Sequence, residues 1–423
     1  MNNNIIRRNI SLDGSLYLMV MLIAFFLPLN AKIVVPFIAI FGLISIVHWV
    51  KYGIRKLSFL YWPFIFLFIL YAVGLLYTTN FDYGLKDIET RMTFVLFPLF
   101  FGLTKYKNPV KLQHVNYALI LGCVVSVFFC YYYASVCFGR FGYIECYEGV
   151  RLAFSMHPTY LAIYFVIALL FLWTTHSFNS MNTLMKIASI LVTILFVFMI
   201  YRFYSLGPWI ALFSALTVLA TYYFYLKGNK KTIALSGLIV VGVVVFAVNK
   251  LDFIASDVGK VKKELRTYFE DPDAYYELNK NEINSINTRI VIWMTSAELV
   301  SQHPFGVGTG DTRDALMNFY LSKGMTNYAE RKLNPHNQYM QTTLTLGWLG
   351  LVVLVITLLF YFVKGVRNNH LSLIMLISVF STACLFESVL ERAWGIVFFM
   401  FFLSIALRDS ESKETEKLIA PSL

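Results

Sequence analysis

The sequence predicts an all-α fold: a polytopic membrane bundle of about twelve transmembrane helices with one large extracytoplasmic loop. Three observations lead there. Of the 423 residues, 58% are hydrophobic and only 14% charged, whereas a soluble domain carries roughly 25% charged residues. Mean hydropathy is +0.65. The apolar residues also fall in blocks of about 17–25, the length of helix that crosses about 30 Å of hydrocarbon, without the alternating ten-residue segments of a membrane barrel.

The apolar runs place spans near residues 15–30, 33–50, 58–77, 91–104, 113–137, 158–174, 184–202, 207–226, 232–249, 338–363, 370–387 and 393–407. The fourth is the shortest. This divides the chain into helices over 1–249, a folded loop over 250–337, three helices over 338–407 and a tail over 408–423. The opening stretch MNNNIIRRNISLDG runs into the first apolar block with no small-residue cleavage site, so the first helix is expected to stay.

Orientation follows from the basic residues. With a cytoplasmic N-terminus, the short inside segments hold 17 Lys and Arg, and the short outside segments and outer helix ends hold 7. That asymmetry obeys the positive-inside rule and puts both termini inside. The eleven further basic residues of 250–337 do not count against this, since long loops translocate largely regardless of charge. The net charge of +11 is therefore spread between apolar segments and does not form the basic face of a nucleic-acid binder.

Five cysteines show no C-x-x-C spacing, and Cys123, Cys130 and Cys137 recur every seven residues along one apolar segment, as packing thiols would. Cys146 follows Cys137 across a short loop placed outside, where a disulfide between them could persist. No metal and no other cofactor is expected.

Within the loop, TRIVIWMTSAELVSQHP brings Ile290, Trp293, Ala297 and Val300 round at helical spacing and ends at Pro304, which predicts an amphipathic helix on the membrane surface. Arg289 would sit in its first turn. There the helix dipole disfavours a cation unless an anion such as phosphate joins it. A second helix is expected after Asp311, with Gly324 as its stop. FGVGTGD at 305–311 lacks the Gly-Lys-Ser/Thr ending of a nucleotide loop, and its glycines read as a sharp turn.

Arg91, Arg151 and Arg202 are each expected at the outer end of a helix, on one face of the membrane. Each could snorkel to headgroups, but together they suit a pyrophosphate. His336 and Asn337 stand where the polar loop re-enters the membrane, and a neutral histidine there can accept a proton near pH 7. His157, before Pro158, reads as a helix-entry residue.

Thr288-Arg289 with Trp293, Pro304 with Gly306-Val307-Gly308 and Gly310, and His336-Asn337 followed by Gly347 and Gly350 resemble the O-antigen ligase family, which is related to O-antigen polymerases and some protein oligosaccharyltransferases. The motifs cover about 288–350, and elsewhere the likeness is architectural. The resemblance implies a bacterial inner-membrane enzyme that moves a glycan from undecaprenyl pyrophosphate to lipid A-core at the periplasmic face, inverting and without metal. It implies catalytic roles for His336 and Arg289, while substrate binding by Arg202, Arg151, Arg91 and Asn337 is expected from their places at the outer membrane face. Partners would be the lipid-linked glycan, the glycan acceptor and membrane lipids, and no nucleic acid.

A second family arginine lies in a Ser-Arg-Gly turn, where this chain reads Ser205-Leu206-Gly207. Arg202 would substitute if one helix continued through the turn and put it on the face of Leu206. The alternatives are a polymerase, a protein oligosaccharyltransferase, or a non-enzymatic glycan or lipid transporter. A transporter would be expected to show internal repeats and broken midplane helices, and neither is visible.

Overall fold

The computed structural model describes residues 11–106, 110–175, 181–226, 252–280 and 285–419. Among them the regular structure is helical, apart from an isolated bridge between Ile54 and Thr104. In chain order the helices are α1 Leu12–Phe26, α2 Ala31–Tyr52, α3 Trp62–Gly74, α4 Phe81–Arg91, α5 Thr93–Leu103, α6 Leu112–Phe141, α7 Gly149–Leu152, α8 Pro158–Thr174, α9 Thr183–Arg202 and α10 Leu206–Leu226. They continue as α11 Asp252–Glu270, α12 Pro272–Asn279, α13 Ser285–Gln302, α14 Thr312–Ser322, α15 Thr326–Arg331, α16 Gln338–Arg367, α17 Leu371–Ala383 and α18 Ala393–Ile419.

Among the described residues, seven helices are long and apolar enough to cross a membrane, and three more apolar helices are shorter. The protein is a multi-pass membrane protein. The expected count of about twelve spans is not confirmed among the described residues: α5 has only 11 residues with Pro98 inside it, and the expected span over 232–249 lies outside the described residues. Faces of α2, α6 and α9 expose Val47, Phe128 and Leu191, as helices solvated by hydrocarbon do.

Short polar residues set the helix starts. Ser11, Asn30 and Asn182 accept hydrogen bonds from Gly14 N, Lys32 N and Met185 N at 3.1, 2.8 and 2.8 Å, which satisfies backbone donors that have no partner within the helix. His157 caps α8 ahead of Pro158, the helix-entry role expected of it.

The chain forms two compact units, Met1–Trp62 with Val95–Trp209 and Val397–Leu423, and Pro63–Phe94 with Ile210–Ile396. In the first, α1 packs on α2 and α6, α6 on α8 and α8 on α9. Helix α8 is apolar all round and buried along Pro158–Leu172, the pattern of a helix surrounded by others. Tyr164 stacks on Phe398 of α18 at 4.0 Å. Helix α18 runs past residue 407, where the tail was expected to begin, and Arg55 pairs with Glu411 on this extension. Cys137 and Cys146 form a disulfide.

In the second unit the helices of the 250–337 stretch build a core of their own. Tyr275, Tyr276, Ile290–Ile292, Leu299, Leu316, Phe319, Tyr320 and Tyr328 cluster with Leu344 of α16. This corrects the expected surface stripe of α13. Ala297 is exposed, and the apolar residues of the helix are taken up by protein neighbours, not presented as one lipid-facing face. Helix α14 ends before Gly324, which adopts φ +70° as the expected stop.

Candidate functional site: a histidine, a carboxylate and an arginine joined at one turn

The site forms where the stretch 334–338 meets the turn 386–390, both in the second unit. Asn334 Oδ1 accepts from the His336 backbone N–H at 3.2 Å, and Pro335 lies between them. This Asn-Pro-His turn puts His336 at φ +46°, a left-handed conformation uncommon for a side-chain-bearing residue and often kept for function. Asn337 Oδ1 then caps α16 by accepting from Met340 N at 3.1 Å. The imidazole is thus displayed at the mouth of a helix, partly exposed, on backbone fixed from both sides.

Glu387 faces it. Its carboxylate oxygens lie 3.2 and 3.3 Å from His336 Nδ1, and its side chain is 7% exposed against 31% for the histidine. A carboxylate can only accept, so Nδ1 is the donor, and in the neutral imidazole that tautomer leaves the lone pair on Nε2. Gln338 holds the carboxylate's turn in place: its Oε1 accepts from Leu390 N at 2.6 Å, and its backbone N–H donates to Cys384 O at 2.8 Å.

Arg289 reaches the same turn. Its Nη1 donates to Phe386 O at 3.0 Å, one residue before Glu387. Trp293 Nε1 donates to Pro335 O at 2.9 Å and ties α13 to the residue before the histidine. The expected first-turn position of Arg289 is corrected. Helix α13 begins by Ser285, so Arg289 lies beyond the turn where the dipole acts, and its setting comes from the 386–387 turn instead.

The glycine segment has a different task from anion binding. Val307 N and Gly308 N donate to Leu344 O and Thr345 O at 2.9 and 3.1 Å, Gly310 N donates to Thr78 Oγ1 at 3.1 Å, and Trp348 N donates to Pro304 O at 3.1 Å. These donors are spent within the protein. The interlock requires α16 to break at Gly347, which adopts φ +70° and ψ −169°. Asp311 accepts from Thr79 N and Asn80 N, both at 2.7 Å, which clamps the segment to the turn before α4.

Arg91 is fully buried, paired with Asp87 at 2.8 Å and with Glu391, and lies 4.1 Å over the Tyr71 ring. Burial works against its charge, but the two carboxylates outweigh that and raise its pKa. Burial pushes Glu391 up to about 7, with Arg91 opposing the shift. Arg91 therefore anchors α4 to the 389–391 turn, with Nη1 and Nη2 both engaged by protein groups.

In the first unit, Arg202 donates from Nε and Nη2 to Tyr147 O at 3.2 and 2.8 Å and pairs with Glu148 at 3.1 Å. Arg151 is exposed and lies 5.4 Å from the Tyr143 ring. The condition for Arg202 to share a helical face with Leu206 is not met. Helix α9 ends at Arg202, Tyr204 adopts φ +49°, and α10 starts at Leu206, so the two residues belong to different helices.

Residues 191–355 match the family model described as O-Antigen ligase. The chain carries an O-antigen ligase family domain. The match takes in Arg202, Arg289, the glycine segment, His336 and Asn337, and leaves out Arg91, Arg151 and Glu387. The chain is also similar to an uncharacterized protein of Haemophilus influenzae, 23% identical over 337 residues, which cover 75% of this chain and 77% of that protein. The match supports, in general terms, an enzyme of glycan transfer that acts on a lipid-linked glycan and an acceptor. Sequence reasoning missed Glu387. The signal was there, because an acidic residue ending the apolar run Leu371–Phe386 is costly in the way that drew attention to the arginines.

Proposed function

We propose that this protein transfers a glycan from undecaprenyl pyrophosphate to lipid A-core at the periplasmic face of the inner membrane. The observation that carries the reading is the joining of a base and a cation at one turn: His336 on Glu387, and Arg289 on Phe386 O. In the proposed step, His336 Nε2 takes the proton of the acceptor hydroxyl as its oxygen attacks the anomeric carbon. The bond from that carbon to the pyrophosphate oxygen breaks, and the lipid pyrophosphate leaves with the electron pair. Attack opposite the leaving group inverts the anomeric centre, and the step as written uses no metal.

Glu387 stabilises the imidazolium that forms, and Arg289 offers its remaining donors to the pyrophosphate as charge develops there. Preorganised charge of this kind is usually the largest catalytic contribution. On the sequence reading alone we propose Arg202 and Arg151 as further phosphate-binding residues and Asn337 as a substrate contact. Arg91 supports the reading differently, by holding the 389–391 turn. The test is to incubate the purified protein with undecaprenyl-pyrophosphate glycan and, separately, lipid A-core, a second lipid-linked glycan and an acceptor protein. Elongation of lipid A-core is the expected result. Elongation of either other acceptor would reassign the protein as a polymerase or protein glycosyltransferase, and no transfer to any would overturn the reading.

A further inference from the structure

A cavity of about 240 Å³ opens in the second unit between α4, α14, α15, the start of α16 and the turn after Glu391. It shares both of its defining segments with the histidine site. Asn334 lines it two residues before His336, and Glu391 and Arg392 line it four and five residues after Glu387. It is smaller than the roughly 300–1,000 Å³ of a drug-sized ligand site, which suits one sugar ring.

Its charge is unbalanced. Arg313, Arg331, Lys332 and Arg392 line it, against the carboxylates of Asp87 and Glu391. Both carboxylates are already engaged by Arg91. Arg331, Lys332 and Arg392 are exposed at the rim, while Arg313 is half-buried and lies 5.5 Å from the Tyr83 ring.

Two polar atoms of the lining lack partners. Gln341 is 5% exposed, yet its Oε1 accepts no hydrogen bond, and Nε of Arg313 donates none. An amide oxygen calls for a donor such as a hydroxyl, and a guanidinium N–H calls for an acceptor, best an anionic one. A sugar bearing a carboxylate or phosphate supplies both.

We infer that this cavity is a subsite for one acidic sugar residue of the transferred glycan or its acceptor, read by Arg313 and Gln341 inside and by Lys332 and Arg331 at the rim. The inference rests on the glycan-transfer reading and names a substrate class for it. An acidic sugar held there would place a neighbouring glycan unit against the segments that carry His336 and Glu387.

The test measures binding of glucose, glucuronic acid and glucose 6-phosphate to the full chain in lipid nanodiscs by saturation-transfer NMR. The two acids should bind at least about tenfold more tightly than glucose, as charge-assisted hydrogen bonds would give. The preference should survive in His336→Ala and fall towards parity in Arg313→Gln and in Lys332→Gln, the latter at an exposed position where folding is not at stake. Equal binding of the three sugars, or a preference that both charge variants retain, would overturn the subsite. Because binding needs no turnover, a protein that prefers the acids but transfers nothing would count against the proposed function and leave the subsite standing. The source is separated by transfer assays with phosphorylated or phosphatase-treated lipid A-core, and with donors whose glycan is neutral or contains a uronic acid. A loss of about tenfold in kcat/KM on removing the acid from one partner, abolished in Lys332→Gln, assigns the subsite to that partner. Indifference to the acid on both partners would overturn it.

Discussion

Replacing Glu387 by glutamine keeps the shape of the turn and removes one charge. The carboxylate lies 3.2 and 3.3 Å from His336 Nδ1 and is 7% exposed, so solvent does little to weaken its hold on the imidazolium. A hydrogen bond to a charged group is worth about 1.5–3 kcal/mol, which corresponds to roughly 10–150-fold in rate. Glutamine can also turn its NH₂ towards Nδ1 and impose the other tautomer, with the proton on Nε2; the loss would then approach the roughly 10²–10⁴ that a positioned general base contributes. Single-turnover transfer from a labelled undecaprenyl-pyrophosphate glycan, with donor binding measured separately, reads the effect. The rate should fall by at least about tenfold while donor affinity holds, because Glu387 acts through the base and touches no substrate. A rate within about threefold of wild type would refute the claim that Glu387 positions His336.

Arg91→Ala strands Asp87 and Glu391 without their countercharge and should cost about 3–5 kcal/mol of stability, seen as a lower Tm in detergent; an unchanged Tm would contradict the anchoring role. Glu391 binds its proton more readily folded than unfolded, so stability should fall as pH rises from 4.5 to about 7 and then level. Glu391→Gln should remove its share of that slope, and an unaltered slope would count against the assignment. Arg202→Ala should weaken donor use by about 2–5 kcal/mol if Arg202 binds pyrophosphate, with Leu206→Arg giving no gain; a strong gain from Leu206→Arg with an indifferent Arg202→Ala would reject Arg202. Leu278→Cys, at an exposed position of α12, should react with a membrane-impermeant thiol reagent from the periplasmic side, and labelling from the cytoplasm would reverse the topology.

Helical class and the apolar segments were legible because both are one-dimensional: a run of about 20 apolar residues needs no partner to be recognised. His336 and Arg289 came forward as candidates through motif spacing. What escaped depended on contacts between segments distant in sequence. Glu387 lies 51 residues from His336, and no periodicity links a carboxylate at the end of one apolar run to a histidine before another. The stripe of α13 misled because its partners, Tyr275, Tyr276, Phe319 and Tyr328, come from other helices of the same loop, and a helix enclosed by protein need not keep one apolar face. The spans 184–202 and 207–226 read as separate, but whether Arg202 could still share the face of Leu206 depended on backbone geometry at Tyr204, a residue type that does not announce a left-handed turn.

The central claim, that His336 is the base of a glycan transfer, is tested most directly by comparing wild type with His336→Ala in a single-turnover reaction that follows undecaprenyl pyrophosphate release and lipid A-core elongation together. The wild type should show both at equal rates. The variant should bind donor as well as wild type and slow both processes by roughly 10²–10⁴. Near-wild-type elongation by the alanine variant would contradict the account.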